Sequence, residues 1–181
     1  DELEEDRLAR SGAAFGSTRR GIAYAYSDKY RKKTLRMGDL LRLDEENMKA
    51  RLKMMLDAKN MELAGCYHQE PMSFPALYKW CEEQAEKFKA YICDTGEFLD
   101  ESLKKGKKVI LEAQLGAMRD IDYGIFPYTS SSSTIAAYAP IGAGIPAHVP
   151  DHIVGVLKAY STCVGAGPFV AETAMPQSWL D

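Results

Sequence analysis

The chain has 181 residues, a length that suits one ordinary domain or one piece of a larger one. Hydrophobic residues make up 46% and charged residues 27%, which is enough to bury a core and normal for a soluble globular protein. Lys plus Arg number 23 against 26 Asp plus Glu, and the net charge of -3 argues against a general nucleic-acid binder while leaving room for a small anionic ligand held by a few local cations.

Residues 1–11, DELEEDRLARS, are charged and suit the last turns of a helix. Residues 12–26, GAAFGSTRRGIAYAY, are rich in Gly and small side chains and read as a loop. Residues 27–43 turn basic, with Lys29, Arg31, Lys32, Lys33, Arg36 and Arg42. Asp44 suits a helix N-cap, with Glu45 and Glu46 in the first turn. Met48, Leu52, Met55 and Leu56 then fall on one apolar helical face. A second helix is expected to start near Pro75 and to bury Leu77, Trp80, Cys81, Phe88 and Ile92. Asp94-Thr95-Gly96 reads as its end, with a short third helix over residues 97–105.

The texture changes at Gly106. Residues 107–113, KKVILEA, form a short apolar run behind a basic flank and predict a buried strand. Residues 116–150 are rich in Gly, Ser, Thr and Pro and lack helical periodicity. They are too apolar for disorder: Ile121, Tyr123, Ile125, Phe126, Tyr128 and Ile135 call for burial, and a structured loop of this length is more often functional than not. Residues 152–163, HIVGVLKAYSTC, are β-branched and apolar and predict a second strand. The fold class expected is α/β: part of a mainly parallel sheet with surrounding helices, helix-rich between residues 44 and 105.

Cys66, Cys81, Cys93 and Cys163 include no CxxC pair, and no His or Cys stands at zinc spacing. Reduced thiols, no metal site and a cytoplasmic location are the expectation. No apolar run approaches the length of a membrane span. The chain opens on Asp1 and not Met, so its natural start is expected to lie elsewhere.

Three segments have the chemistry to hold a phosphorylated ligand. Gly16-Ser17-Thr18 stands beside Arg19 and Arg20: glycine lets amides approach a phosphate, hydroxyls donate, and arginine brings charge. Thr129 to Thr134 are six consecutive hydroxyl residues. Gly165-Ala166-Gly167 follows the second expected strand. None matches the G-x-x-x-x-G-K-[ST] phosphate loop; each alone is a weak signal, and a Ser/Thr-rich loop is more often a hydrogen-bonded turn than a ligand site. His68, His148 and His152 have no obvious nucleophile beside them. Asp120 and Asp122 alternate along the chain and do not form an acid/base dyad by spacing; structural hydrogen bonding to the loop that follows suits both.

Together and in order, the three segments resemble the adenylosuccinate synthetase family. GSTRRGIAYAYSDKYRKKTLRMGDLL (16–41) looks like the family stretch in which a Gly-Thr-Thr-like loop leads into Gly-Ile, Tyr, Lys and a basic pair. LEAQLGAMRDIDYGIFPYTSSSSTIAAYAPIGAGIP (111–146) resembles its Glu-Gly-Ala-Gln-Gly, Asp-Ile-Asp and Tyr-Pro-x-x-Thr-Ser-Ser blocks, and GVLKAYSTCVGAGPFVAE (155–172) is similar to a third block. The resemblance implies a ligase of purine (AMP) biosynthesis that joins IMP and L-aspartate with GTP and magnesium, through 6-phosphoryl-IMP. It implies that residues 1–181 are one central IMP-binding and dimerisation piece, without the N-terminal Gly-rich loop and the C-terminal GTP-base and aspartate-binding parts. Catalytic residues are therefore expected outside it, and the piece alone is expected to be inactive and to bind neither metal nor GTP.

Carried over residue by residue, the resemblance implies that Thr18 and Ser130 bind the IMP phosphate, supported by Ser17 and Ser131, and that Val164 lies beside the ribose. Lys32 falls where the family has an arginine that reaches the partner's IMP across a homodimer, with Arg31 as a substitute. Gln114 and Leu115 occupy the Ala-Gln region, with Leu115 in the glutamine register. Cys163 and Ala23-Tyr24 also depart from the pattern. These departures leave open a relative acting on another purine monophosphate such as dGMP, or a non-catalytic nucleotide-binding or oligomerisation module.

Overall fold

The computed structural model describes residues 1–160, 162 and 165–169. The chain divides into two compact units, Asp1–Ala23 with Leu99–Asp181, and Tyr24–Phe98.

The second unit is helical. Helices α2 (Ile22–Tyr30), α3 (Glu46–Tyr67) and α4 (Phe74–Phe88) supply most of it, with a 3-10 turn at Met37–Arg42. On α3, Met48, Leu52 and Leu56 are buried at four-residue spacing, so one stripe of the helix faces inward. Leu52 and Cys81 pack with Leu43, and Leu35, Leu40, Phe74, Leu77, Tyr78 and Ala85 close around them. Tyr78 caps this core with a polar tie: its hydroxyl donates to the Leu43 carbonyl at 3.1 Å. Helix α4 starts as its sequence demands. Ser73 accepts from the Ala76 amide, and Pro75 sits in the first turn, where its missing N–H costs nothing. Asn60 exchanges two 2.9 Å hydrogen bonds with the backbone of Met72, which pins the α3–α4 connection.

The first unit holds α1 (Glu2–Arg10) and the long segment after α5 (Thr95–Lys104), with 3-10 turns at Ala117–Arg119 and Ala136–Tyr138 and a single helical turn α6 (Ala139–Gly142). Polar side chains dominate its interior: Glu5, Ser102, Asp120, Ser132 and Thr134 are buried.

Several expectations need correction. No described residue lies in a β-strand, so the expected parallel sheet is not part of this structure. Residues 107–113 and 152–160 are the two apolar runs read as strands, the second as far as it is described. They form no ladder, and Ile110 and Val156 are 91% and 94% exposed. Apolar, β-branched composition suits a pleated surface, but a strand exists only when a neighbour takes its N–H and C=O groups. Residues 12–26 are not all loop, because α2 begins at Ile22. The N-cap of α3 is Glu45 and not Asp44. Trp80 and Phe88 point outward instead of lining the α4 core. Asp94-Thr95-Gly96 opens α5 instead of closing α4: Asp94 accepts from the Glu97 amide at 3.1 Å, as a helix-starting carboxylate does. In the loop after Gly116, Tyr123 and Phe126 are exposed, contrary to the burial expected of them.

Because Leu52 is 2% exposed at the centre of the helical core, Leu52→Ala should destabilise the protein by about 2–5 kcal/mol, the range for deleting a well-packed leucine. Urea unfolding followed by circular dichroism measures it, with the exposed Met54→Ala expected to stay within about 0.5 kcal/mol of the parent.

Candidate functional site

Asp120 organises the long loop of the first unit. Its side chain is fully buried. One carboxylate oxygen accepts from the amides of Asp122 at 2.9 Å and Tyr123 at 3.1 Å, and the other accepts from the Thr134 amide at 2.7 Å. The Thr134 amide, then those of Asp122, Tyr123 and Ile135, holds this carboxyl below the usual carboxylate range against the opposing effect of desolvation. Its role is structural, as the spacing suggested; Asp122 contributes an amide here while its side chain is exposed.

The hydroxyl run is drawn onto the same knot. The Ser130 amide donates to the Arg119 carbonyl at 2.8 Å, and the Ile121 amide to the Ser132 carbonyl at 3.3 Å. Thr134 donates its hydroxyl to the Gly116 carbonyl at 2.8 Å. The Arg119 guanidinium donates to the Tyr128 carbonyl. Ser130 and Ser132 hydroxyls lie 3.1 Å apart, and the Gln114 amide donates to Ser132 Oγ at 3.1 Å. Ser130 and Ser131 are half-buried. Leu115, beside Gln114, has a φ of +68° and is 66% exposed. A left-handed backbone at a bulky residue is uncommon, and here it turns the apolar side chain outward.

The Gly16 loop is held from below by helix α1. Glu5, the one buried residue of that helix, accepts from the amides of Gly16 at 2.6 Å and Ser17 at 3.1 Å through a single oxygen. Asp1 accepts from the Ser17 hydroxyl and from the Gly21 amide, each at 2.8 Å. Ser17 Oγ in turn accepts from the Arg19 amide at 3.1 Å, and Arg19 pairs with Asp6 at 2.7 Å. Thr18 is exposed at the top of this arch. Sequence reasoning took the loop's glycine as an approach for a phosphate to backbone amides. Those of Gly16 and Ser17 are instead spent on Glu5. It missed Glu5 and Asp1 because they lie far from the loop in sequence. The available signal was their i, i+4 spacing, which puts two carboxylates on one side of α1.

The structure brings together the Gly16 loop, residues 165–167 and Tyr128, the residue just before the hydroxyl run. The Ala166 amide donates to the Phe15 carbonyl at 2.9 Å. A Cβ on Gly16 would lie 2.9 Å from Gly165 Cα, and one on Gly167 would lie 2.4 Å from the Tyr128 ring, so both approaches require glycine. Phe15 and Tyr128 meet edge to face with ring centroids 6.3 Å apart. Val164 and Cys163 lie outside the described residues.

Lys32 and Arg31 belong to the second unit and are exposed. Lys32 has a φ of +60° and occupies the left-handed position that closes α2: its amide donates to the Lys29 carbonyl and that of Lys33 to the Asp28 carbonyl. Helices α1 and α5 end in the same way on Gly12 and Gly106. Arg31 lies 3.9 Å from Asp28, which also pairs with Lys59 at 2.9 Å. Of the histidines, His148 Nε2 lies 3.1 Å from Asp100, whose carboxyl is lowered by Lys104 first and His148 second. His68 caps α3, and His152 is exposed. Burial pushes the Cys81 thiol up, consistent with a core residue.

A family model for adenylosuccinate synthetase matches residues 1–179. Adenylosuccinate synthetase from Caldicellulosiruptor bescii is 42% identical over 170 residues, covering 93% of this chain and 39% of that protein. The enzyme from Desulfitobacterium hafniense is 41% identical over 174 residues, covering 96% and 40%. Among solved structures, fully ligated adenylosuccinate synthetase from Plasmodium falciparum matches with a TM-score of 0.80 and 32% identity, over 93% of this chain and 38% of that one. The chain thus spans about two fifths of the length of the curated relatives it matches.

Asp120→Asn keeps the side-chain size but turns an amide NH2 toward backbone donors, and should lower the urea midpoint at neutral pH. The depressed folded pKa fixes the pH dependence. The carboxylate's contribution is present above its unfolded value of about 3.9 and is lost as pH falls through the lower folded value. The gap between parent and variant should therefore be level from neutral to mildly acidic pH and narrow only below about pH 4. Separately, Lys32→Gly should raise stability by about 0.5–1 kcal/mol by removing a side chain from a left-handed position, read as a shift of the urea midpoint.

Proposed function

The chain belongs to the adenylosuccinate synthetase family, and from that premise we propose that it supplies the IMP-binding part of a GTP-dependent ligase of AMP biosynthesis. In the complete protein the 6-oxygen of IMP attacks the γ-phosphorus of GTP, releasing GDP. The amine of L-aspartate then displaces the phosphate from C6, giving adenylosuccinate and inorganic phosphate.

The observation that carries this reading is the meeting of the Gly16 loop, residues 165–167 and Tyr128, which leads into the hydroxyl run, in one neighbourhood. A phosphate monoester needs several donors aimed at one point, and separate hydroxyl loops supply that only when the fold joins them. In this reading Thr18 and Ser130 donate to the IMP phosphate, with Ser17 and Ser131 behind them. Val164 lies beside the ribose, next in sequence to Gly165, and Gln114 and Leu115 face the base. Lys32, with Arg31 as its substitute, brings charge to the phosphate on the partner subunit of a homodimer.

The described residues include no group of three His, Cys, Asp or Glu side chains able to hold a metal. The Asp120 oxygens are already occupied by amides. The described residues therefore assemble no magnesium site, and no step is assigned to the ion or to a catalytic base among them. GTP and magnesium are assigned to the complete protein.

One observation favours a second reading, a synthetase for another purine monophosphate such as dGMP. Leu115 stands in the glutamine register and is exposed, while the amide of Gln114 is turned onto Ser132. An apolar side chain where the family offers an amide would relax recognition of the base.

Calorimetric titration of the complete protein with IMP, inosine and dGMP tests both readings. Thr18→Ala and Ser130→Ala should each weaken IMP by about ten- to a hundredfold, the cost of one hydrogen bond to a charged group, and leave inosine unchanged. Tighter binding of dGMP than of IMP selects the second reading, and equal binding of IMP and inosine rejects both.

A further inference from the structure

We propose that Glu5 is a positioning residue for the phosphate of the bound nucleotide, acting through Thr18 without touching the ligand; this rests on the phosphate reading above.

A nine-residue helix would ordinarily dock through an apolar stripe, yet the single residue that α1 buries is Glu5. A buried carboxylate is unfavourable unless its lone pairs meet donors, and here the donors are two successive loop amides, Gly16 and Ser17. The same helix end adds Asp1, which holds the Ser17 hydroxyl and the Gly21 amide. The loop is thus fastened before Thr18 at Gly16 and Ser17 and after it at Gly21. Thr18 is left outward between them.

Two consequences follow. With the Gly16 and Ser17 amides taken, those amides do not cradle an anion, and the hydroxyl of Thr18 becomes the group this arch presents. Glu5 itself is buried while Thr18 is exposed, so the carboxylate is not the group offered to a ligand. Gly16 is in addition wedged against Gly165, with room for no Cβ, so releasing the Glu5 contact frees the loop at the point where the phosphate-type segments meet. A displacement of about 1 Å at such a donor is enough to lose most of its value.

The test is a titration of the complete protein with IMP and with inosine, which differ only by the phosphate. Glu5→Ala should weaken IMP by about tenfold or more while leaving inosine unchanged, a split that general loosening of the fold would not produce. Glu5→Gln keeps an oxygen able to accept both amides and should retain the parent's preference for IMP over inosine. In a Thr18→Ala background, Glu5→Ala should add no further loss, since it acts through that hydroxyl. Should Glu5→Ala fail to fold, Glu5→Asp, one methylene too short to reach the loop, carries the same expectation. If Thr18→Ala loses IMP affinity but Glu5→Ala, or Glu5→Asp in its place, binds IMP like the parent, the proposal is wrong and the phosphate reading stands. Equal losses of IMP and inosine in Glu5→Ala would also overturn it, as a merely structural effect. If Thr18→Ala binds IMP as the parent does, the phosphate reading fails and this proposal fails with it.

Discussion

The buried carboxylate of Asp120 is the constraint on which the long loop of the first unit depends. The loop after Gly116 has few apolar side chains inside and no strand or long helix to satisfy its backbone. Something must take the amides that the chain turns inward. Asp120 takes those of Asp122, Tyr123 and Thr134, bridging positions fourteen residues apart in sequence. With that bridge made, the serine run is folded back beside Arg119 and Ile121, and Ser130, Ser132 and Gln114 are within hydrogen-bonding reach.

The same device appears at the other phosphate-type loop. Glu5 and Asp1 do for residues 16–21 what Asp120 does for residues 120–134: a carboxylate at the turn gathers backbone amides, while Thr18 stays exposed. Carboxylate-centred loops resist collapse because a carboxylate has several acceptor sites and fixed reach. They also change which groups remain available to a ligand. Amides used by the protein are lost to a phosphate, so binding must fall to side-chain hydroxyls and to cations from elsewhere. The second unit is built differently, around Leu43, Leu52 and Cys81, with Arg31 and Lys32 exposed at the helix end that Lys32 closes.

Local patterns were legible where neighbours in sequence decide the outcome. The Met48, Leu52 and Leu56 stripe, the Pro75 helix start and the charged opening helix all appear in the structure. The errors share one cause. Residues 107–113 and 152–160 have strand composition, but pairing is a property of two segments, and the described chain pairs neither. Phe88, seven residues after Cys81, and Trp80, next to it, both face outward, since only the packed neighbours decide how wide the buried stripe is. Asp94-Thr95-Gly96 carries both a stop signal and a start signal, and the Glu97 amide settled which one acts.

For the candidate site, the sequence alone determined the chemistry on offer: hydroxyls at Thr18 and Ser130, a lysine at position 32, a leucine in the glutamine register, and block order specific enough to place the family. Residue type and order are carried by the chain itself, whatever its fold. Tertiary structure decided which of those groups remain free. Gly16 and Ser17 amides went to Glu5, Gln114 went to Ser132, and Thr18 was left outward. The reason is that a hydrogen-bonding group has a fixed number of partners to give, and how they are divided depends on contacts between residues far apart in sequence.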